Sequence, residues 1–214
     1  MATVGILGGT GPAGRGVAAR LAGAGYTVVL GSRDAERAKG IARGLTLRGE
    51  GTVEGGTNEE AATCNLVVVA TPWDSAIATT SALRQELKGK IVISMVNALS
   101  REGREMVAMY PPRGSMAAQI EHALPESVIV GAFHHLPAAQ MEDLDSDLDA
   151  DVLVFSDDDD ARRQVAEMID RMSGLRAIIA GTMSLASPIE AFTSVCISIN
   201  IRHKAHSYVK MAGL

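Results

Sequence analysis

The first fourteen residues constrain the fold more than any other part of the sequence. An apolar run at 3–9, TVGILGG, stops at glycines, and apolar residues recur at helical spacing after Pro12. Gly9, Gly11 and Gly14 fit G-x-G-x-x-G, in which the first glycine allows a tight turn, the second lets the backbone approach a pyrophosphate, and the third lets the helix pack on the strand. This pattern between a strand and a helix predicts a βαβ unit that binds a dinucleotide.

The glycines of this turn also fit a second spacing. Gly8, Gly11 and Gly14 match G-x-x-G-x-x-G, which is typical of extended short-chain dehydrogenases, whose chemistry needs a Tyr-x-x-x-Lys pair. The residues four places after the three tyrosines are Leu30, Gly114 and Ala212. None of them is lysine, so the catalysis of that class is excluded.

Strand-like and helix-like segments alternate along most of the chain. Apolar runs predict buried strands at residues 3–9, 27–32, 65–71, 89–97, 127–133, 152–156 and 177–181. Helical spacing between most of them predicts parallel strands with right-handed crossovers, and we expect the last two strands to extend the same sheet. The fold class is therefore α/β, Rossmann-type and doubly wound, with a mostly parallel sheet. We expect a loop with a short helix at 51–63, irregular chain at 100–113, and a small helical C-terminal element over 188–209.

Composition limits the class of protein further. The 214 residues are 47% hydrophobic and 3% aromatic, which is enough for one aliphatic core. The net charge is −5 and no long basic run occurs, so nucleic acid is not an expected partner. We find no signal peptide and no apolar stretch of membrane-spanning length, and Cys64 and Cys196 lack metal-ligand spacing. We therefore expect a cytoplasmic protein with reduced cysteines and no membrane partner.

The second predicted strand ends in Ser32 and Arg33, about twenty residues past the glycines, where NAD-binding proteins usually have an acid that holds the adenosine ribose. A carboxylate there repels a 2′-phosphate, whereas Ser32 can donate to its oxygens and Arg33 can form a forked, charge-assisted contact. Arg37 can add a second cation. Asp34 is the alternative ribose acid, but it is also placed to cap the following helix. The segment therefore predicts NADP(H) as the cofactor.

Several further segments, together with this turn and Ser32-Arg33, resemble one known family: the NADP-dependent oxidoreductases of the deazaflavin coenzyme F420. The resemblance covers essentially the whole chain. Its motifs are GGTGPAGRG (8–16), GSRDAERA (31–38), TPW (71–73), Ser100-Arg101, GAFHHLPAA (131–139), DADVLVFSDD (149–158) and RHKAHSYVKMAGL (202–214). The segment NALS (97–100) departs from the family, in which we expect a more proline-rich turn.

The resemblance implies hydride transfer between NADP(H) and coenzyme F420, which requires two rings held face to face and needs no nucleophile, metal or triad. The residues that it assigns to NADP(H) are Gly9, Thr10, Gly11, Pro12, Ala13 and Gly14 at the pyrophosphate and sugar, Ser32, Arg33 and Arg37 at the 2′-phosphate, and Thr71 and Pro72 at the nicotinamide ribose. The residues that it assigns to the deazaflavin wall are His134, Leu136, Pro137, Ala138 and Ala139. It also implies a homodimer. We accordingly divide the chain into an NADP-binding domain, 1–182, and a helical element, 183–214, that completes the second-cofactor cleft or a dimer interface.

Some candidate residues keep two interpretations. His134 either contacts the deazaflavin or is a hydrogen-bonded structural residue, and Trp73 either lines the cleft or packs in the interior. The basic residues at 202–206 either meet the anionic tail of the deazaflavin or form a charged helix end or a dimer surface. The alternating aspartates from Asp143 to Asp151 fail the calcium-loop pattern at its glycine and glutamate positions, so no metal site is predicted. We expect the aspartates at 157–160 to cap the helix that follows them.

Two other functions are compatible with the sequence. An NADPH-dependent reductase of an imine, ketone or ferric chelate would keep the nucleotide site. For an imine or ketone it would need a proton donor, for which His134 is the candidate. A non-catalytic NADP-binding protein would bind the nucleotide without turnover, although the segment 131–139 argues against it.

Overall fold

The computed structural model describes residues 2–214, so residue 1 of the predicted first domain lies outside it. The strands are β1 Thr3–Leu7, β2 Thr27–Ser32, β3 Thr52–Thr57, β4 Leu66–Val69, β5 Ile91–Ser94, β6 Leu99–Glu102, β7 Glu105–Ala108, β8 Val128–Gly131, β9 Ala150–Phe155 and β10 Leu175–Gly181. The helices are α1 Pro12–Gly23, α2 Ala35–Gly44, α3 Asn58–Ala62, α4 Trp73–Ala82, α5 Arg84–Leu87, α6 Met116–Ala123, α7 Ala138–Glu142, α8 Asp159–Asp170 and α9 Ala186–His203. A 3₁₀ turn at Met183–Leu185 leads into α9.

One sheet organises the molecule. Its strand order is β10-β9-β8-β5-β4-β1-β2-β3. Six neighbouring strands of this sheet, β8, β5, β4, β1, β2 and β3, are all parallel. The chain moves outward from β1 to β3 and then returns to the other side of β1 at β4. The order therefore reverses between β1 and β4, and in doubly wound sheets the crevice at this point receives ligands. The predicted Rossmann-type α/β fold is confirmed.

The sheet is buried on both faces. Ile6 and Val68 belong to one hydrophobic cluster, whereas Leu7, Val67 and Val69 belong to a second cluster on the opposite face. Neighbouring residues separate in this way because successive side chains of a strand point to opposite faces. A parallel sheet covered on both faces explains why these strands are almost wholly apolar.

Four elements differ from the sequence-based expectation. The predicted loop at 51–63 contains strand β3, which was missed because glycines are typical of loops. Glycine is needed in this strand because a Cβ on Gly55 would lie 2.2 Å from the backbone of α2. The predicted irregular segment at 100–113 contains the hairpin β6–β7. Strands β9 and β10 extend the sheet as predicted, but β9 is antiparallel to β8. Helix α9 ends before Val209 because Lys204 takes a left-handed conformation, φ 52°.

Within residues 2–214, one helical stretch, Met183–His203, is long and apolar enough to cross a membrane. This differs from the expectation that no stretch reaches that length. The test considers length and composition only, and a core helix passes it too. In this fold α9 carries the buried Glu190, whose carboxylate accepts hydrogen bonds from the backbone N–H groups of Met116 (2.7 Å) and Ala117 (2.9 Å) at the start of α6. Helix α9 is thus tied to the rest of the fold.

Candidate functional site

The glycines of the turn have different surroundings. At Gly8 and Gly14 neighbouring protein atoms leave no space for a Cβ, whereas at Gly11 the space is open. Gly8 has φ 66°, and a Cβ there would lie 2.7 Å from the Thr71 side chain. A Cβ on Gly14 would lie 2.7 Å from Gly9, so this glycine allows α1 to pack on β1. Among the described residues, nothing lies within 4 Å of the Cβ position of Gly11. The open side of the turn is therefore at Gly11, where a pyrophosphate is expected to approach.

A buried asparagine supports the turn from behind. The Gly8 backbone N–H donates to Asn58 Oδ1 at 3.0 Å, and the Gly9 N–H donates to the carbonyl of Gly31 at 2.9 Å. These bonds fix the end of β1 against β2 and α3. Sequence reasoning missed Asn58 because the strand that precedes it has the residue pattern of a loop, so nothing placed its side chain beside the glycines.

The start of α1 provides donors for an anion. Gly11 is the N-cap and supplies no side-chain hydrogen bond, and the first turn of this twelve-residue helix holds no acid. The first N–H groups of a helix lack internal partners and carry partial positive charge. Beside them, the buried Thr71 Oγ1 has no hydrogen-bond partner within residues 2–214. These groups fit the pyrophosphate and sugar of a dinucleotide.

The end of β2 fits a phosphate. Ser32 is buried, and its Oγ accepts from the Asp34 N–H at 3.1 Å, which leaves the hydroxyl proton free to donate. Asp34 Oδ1 accepts from the Arg37 N–H at 3.0 Å, so Asp34 caps α2, as predicted. Arg33 and Arg37 are exposed, and neither forms an ion pair with the described part of the chain. Two uncommitted cations therefore flank a hydroxyl donor beside the turn.

Thr71, Pro72 and Trp73 follow β4, directly across the crevice from the glycine turn. Pro72 is the N-cap of α4, and Trp73 opens that helix with 39% of its surface exposed. Trp73 is therefore partly exposed on the same edge of the sheet as the glycine turn, and it is not buried in the core.

A cleft of about 520 Å³ continues from the turn along the same edge of the sheet. It is lined by Pro12 and Ala13 of the turn, Met95 and Asn97 after β5, all residues of 133–139 after β8, Thr193, Cys196, Ile197 and Asn200 of α9, and His206 and Ser207 near the C-terminus. The structure thus brings the predicted wall, His134 to Ala139, next to Pro12 and Ala13. Sequence reasoning missed the lining residues of α9 and those after β5. Two of them, Thr193 and Asn200, are polar residues on a largely apolar helix, which is a signal that could have found them.

His134 is buried at the floor of this cleft. Its Nδ1 donates to Asn97 Oδ1 at 3.0 Å, and its ring stacks on Phe155 with centroids 5.6 Å apart. Burial, with a smaller contribution from His135, lowers the pKa of His134 to about 3, so the ring is neutral at physiological pH. The buried Nε2 has no partner among residues 2–214 and carries no proton in this tautomer. His134 is therefore a hydrogen-bonded, neutral residue and not a proton donor.

Asn97 connects three elements around His134. Its Nδ2 donates to the His134 carbonyl at 3.3 Å, and the Thr193 hydroxyl lies 3.1 Å from Asn97 Oδ1 and 3.2 Å from the same carbonyl. The next residue, His135, donates from Nε2 to the Ile189 carbonyl at 2.7 Å. These bonds join the chain after β5, the chain after β8 and helix α9. The segment NALS, which departs from the family pattern, thus supplies a structural contact of the cleft.

The charged segments outside the cleft have structural partners. Asp158 Oδ1 accepts from the Ala161 N–H at 2.8 Å and caps α8, as predicted for the aspartates at 157–160. Arg202 pairs with Glu105 of the hairpin at 3.2 Å. Of the basic residues at 202–206, only His206 is in the lining of the cleft.

Comparison with known proteins identifies the family. Residues 3–98 match the family model described as NADP oxidoreductase coenzyme F420-dependent. The F420-dependent NADP reductase of Methanocaldococcus jannaschii is 36% identical over 210 residues, 94% of each chain. That of Methanothermobacter thermautotrophicus is 32% identical over 99% of this chain and 93% of its own. A crystal structure of a putative F420-dependent NADP reductase from Arthrobacter sp. FB24 superposes with a TM-score of 0.83, at 25% identity, over 99% of this chain and 100% of that one. The chain belongs to the family of F420-dependent NADP oxidoreductases.

Proposed function

We propose that this protein is an NADP-dependent oxidoreductase that transfers a hydride between NADP(H) and coenzyme F420. The observation that carries this function is the continuity of the crevice: Pro12 and Ala13 belong both to the glycine turn and to the cleft formed by His134–Ala139 and α9. A nucleotide on the turn and a second ring system in the cleft therefore meet at these two residues.

The nucleotide side is assigned from its donors. The start of α1 and Thr71 hold the pyrophosphate and ribose, because the first N–H groups of a helix lack partners inside it and the Thr71 hydroxyl has none among the described residues. Ser32, Arg33 and Arg37 hold the 2′-phosphate. Pro72 and Trp73 border the nicotinamide at the rim of the crevice.

The deazaflavin side is assigned from shape and polarity. Leu136, Pro137 and Ala138 form an apolar wall, and Met95 and Ile197 face the same cleft. When both are bound, NADP(H) and F420 supply the chemistry themselves, a hydride passing between C4 of the nicotinamide and C5 of the deazaflavin. The chain contributes orientation and the exclusion of water, which are the tasks a protein performs for reacting cofactors.

The neutral state of His134 favours this function over reduction of an imine or ketone. Such a reductase needs a proton donor beside the acceptor. The Nδ1 proton of His134 is committed to Asn97, and burial lowers the pKa of this histidine to about 3. Hydride transfer between two cofactors needs no such donor. His134 therefore supports the floor of the cleft through Asn97.

The test is an absorbance assay with purified protein, NADPH and oxidised F420. Loss of the visible band of F420 with NADPH, but not with NADH, is the expected result. A riboflavin derivative replaces F420 as the acceptor control. Tight NADPH binding without loss of the band would contradict the proposed function and point to another acceptor or to a nucleotide sensor.

The proposal extends to a homodimer formed through α9. Phe192, Val195 and Ile199 lie on one face of this helix and are each about 45% exposed. Val195 and Ile199 line a groove that is also bordered by the ion pair of Glu105 and Arg202, so the exposed apolar residues of this face provide a self-complementary, two-fold contact with a second copy.

Light scattering coupled to gel filtration tests the dimer. Val195→Glu should give monomers, and Ile179→Glu, which changes an equally exposed residue on the edge strand β10, should not. An unchanged mass for the Val195 variant would exclude α9 as the interface.

We also propose how the chain is divided into domains and in which compartment the protein acts. Residues 1–182 form the NADP-binding domain, and 183–214 form the element that completes the second-cofactor cleft, which is supported by the four α9 residues in its lining. The protein is cytoplasmic, which the buried free thiols of Cys64 and Cys196 support, since reduced cysteines are typical of that compartment.

A further inference from the structure

The last ten residues, 205–214, form a segment that we call the C-terminal strap. Strand β8 ends at Gly131, opposite Phe155 at the end of β9, so the first part of β9 has no neighbour from β8. The Ala150 N–H points toward β10. The N–H of the next residue, Asp151, therefore points to the opposite side of β9, where it donates to the Val209 carbonyl at 2.9 Å. The strap thus occupies the position beside β9 that β8 leaves open.

An ion pair between the buried Asp151 and the partly exposed Arg176 anchors the end of the strap. The Asp151 side chain is fully buried and accepts from Arg176 Nε at 2.8 Å, from Arg176 Nη2 at 2.7 Å and from the Met211 N–H at 2.6 Å. Arg176 also donates to the carbonyls of Met211 (3.1 Å) and Leu214 (2.8 Å). The two side chains therefore bind each other and the strap backbone at once.

The beginning of the strap is fixed from α9 and from the core. Asn200 Oδ1 accepts from both the N–H and the hydroxyl of Ser207, each at 2.7 Å. Tyr208 packs against the hydrophobic cluster on one face of the sheet. At these attachments, His206 and Ser207 are part of the lining of the cleft.

We propose that Asp151 and Arg176 are positioning residues for the deazaflavin side of the cleft: they hold the C-terminal strap on β9, and the strap presents His206 and Ser207 to the second cofactor. This inference rests on the proposed function. Neither positioning residue lines the cleft itself, so each acts only through the strap. Hydrogen bonds from Arg176 lower the pKa of Asp151 to about 2, so the anchor is charged throughout the physiological range.

The experiment compares two ways of releasing the strap. Asp151→Asn removes the charge that holds Arg176, and Tyr208→Ala removes the apolar attachment without altering the ion pair. Glu126→Gln is the matched control, because it breaks the exposed pair with Lys88, which is distant in sequence and structure from the strap. Hydrogen–deuterium exchange of residues 205–214 reports on the strap. Steady-state kinetics with NADPH and oxidised F420 report on the site.

We expect faster exchange of the strap in both variants and a rise of about tenfold in the KM for F420, which corresponds to the loss of about one hydrogen bond. The KM for NADPH and the kcat at saturating F420 should stay close to those of the wild type. The control should change neither exchange nor kinetics. If Asp151→Asn does not fold, Arg176→Gln takes its place, because it removes the same ion pair from its partly exposed side, and Tyr208→Ala still tests the strap.

Three results would overturn the inference. Faster strap exchange with an unchanged KM for F420 would separate the strap from the site. Unchanged exchange in both variants would exclude the anchor. An equal rise in both KM values would make the strap a general structural element. A wild-type protein that is inactive with F420 but has a protected strap would instead refute the proposed function. The exchange data would then still show whether Asp151 and Arg176 hold the strap.

Discussion

Replacing Arg33 by Asp should reverse the cofactor preference. Arg33 is exposed, so its bond to a 2′-phosphate should be worth about 1.5 kcal/mol, the lower end of the range for hydrogen bonds to charged groups. Repulsion between the new carboxylate and the phosphate in water adds about 1 kcal/mol. The sum of about 2.5 kcal/mol predicts that kcat/KM for NADPH falls about 70-fold. With NADH the carboxylate can accept from the ribose hydroxyls, so activity should hold or rise.

The assay is steady-state F420 reduction with each nucleotide, at low and high ionic strength. Salt should recover part of the activity with NADPH, because exposed charges are screened. Arg43→Asp is the control, since Arg43 is an exposed residue in the last turn of α2, the helix that follows Arg33, and its replacement changes the net charge equally. An unchanged ratio of NADPH to NADH activity in the Arg33 variant, or an equal change in the control, would refute the assignment of this residue to the 2′-phosphate.

Three further predictions test the site and the fold. Gly11→Ala should raise the KM for NADPH with little change in thermal stability, because its Cβ meets no described atom within 4 Å. Gly14→Ala should lower the melting temperature, because its Cβ would lie 2.7 Å from Gly9. Equal effects of the two variants on the KM and on the melting temperature would contradict this. The pH profile of kcat should show no ionisation from His134 between pH 5 and 8, since its pKa is about 3, and the profile of His134→Gln should have the same shape. Burial raises the pKa of Glu190 from 4.5 to about 7, so the folded protein holds a proton that the unfolded chain releases. The free energy of unfolding should therefore fall by at most about 3 kcal/mol as the pH rises from 4.5 to 7, and denaturant titrations of Glu190→Gln should lose this slope.

Local sequence signals were sufficient where a residue acts on its immediate neighbours. The glycine spacing predicted the turn, because close backbone approaches within one strand–turn–helix unit require Gly9 and Gly14, and Gly11 leaves the open side of the same turn. Asp34 was predicted as a helix cap, and its carboxylate does accept from the N–H three residues later. The buried strands of the parallel sheet were predicted because they are covered on both faces and are therefore continuously apolar.

Local signals failed where long-range packing sets the conformation. Strand β3 is rich in glycine and polar residues, and it forms because it pairs with β2 and packs closely on α2. The hairpin β6–β7 contacts α9, which is far away in sequence: the Met106 N–H donates to Ser198 Oγ at 2.8 Å. The antiparallel direction of β9 also has no local signal, because it depends on how the chain returns from α7.

The sequence by itself determined the dinucleotide turn, the cationic end of β2 and the order of the apolar strands, since these follow from backbone geometry, charge and hydrophobicity over short stretches. Only the tertiary structure decided which residues line the deazaflavin side of the cleft. Residues from β5, β8, α9 and the C-terminal strap meet there across separations of up to about half the chain. It also decided the state of His134: the sequence placed this residue in the site, but burial and the bond to Asn97 make it neutral. Desolvation depends on every element packed around a group, so no local pattern contains it.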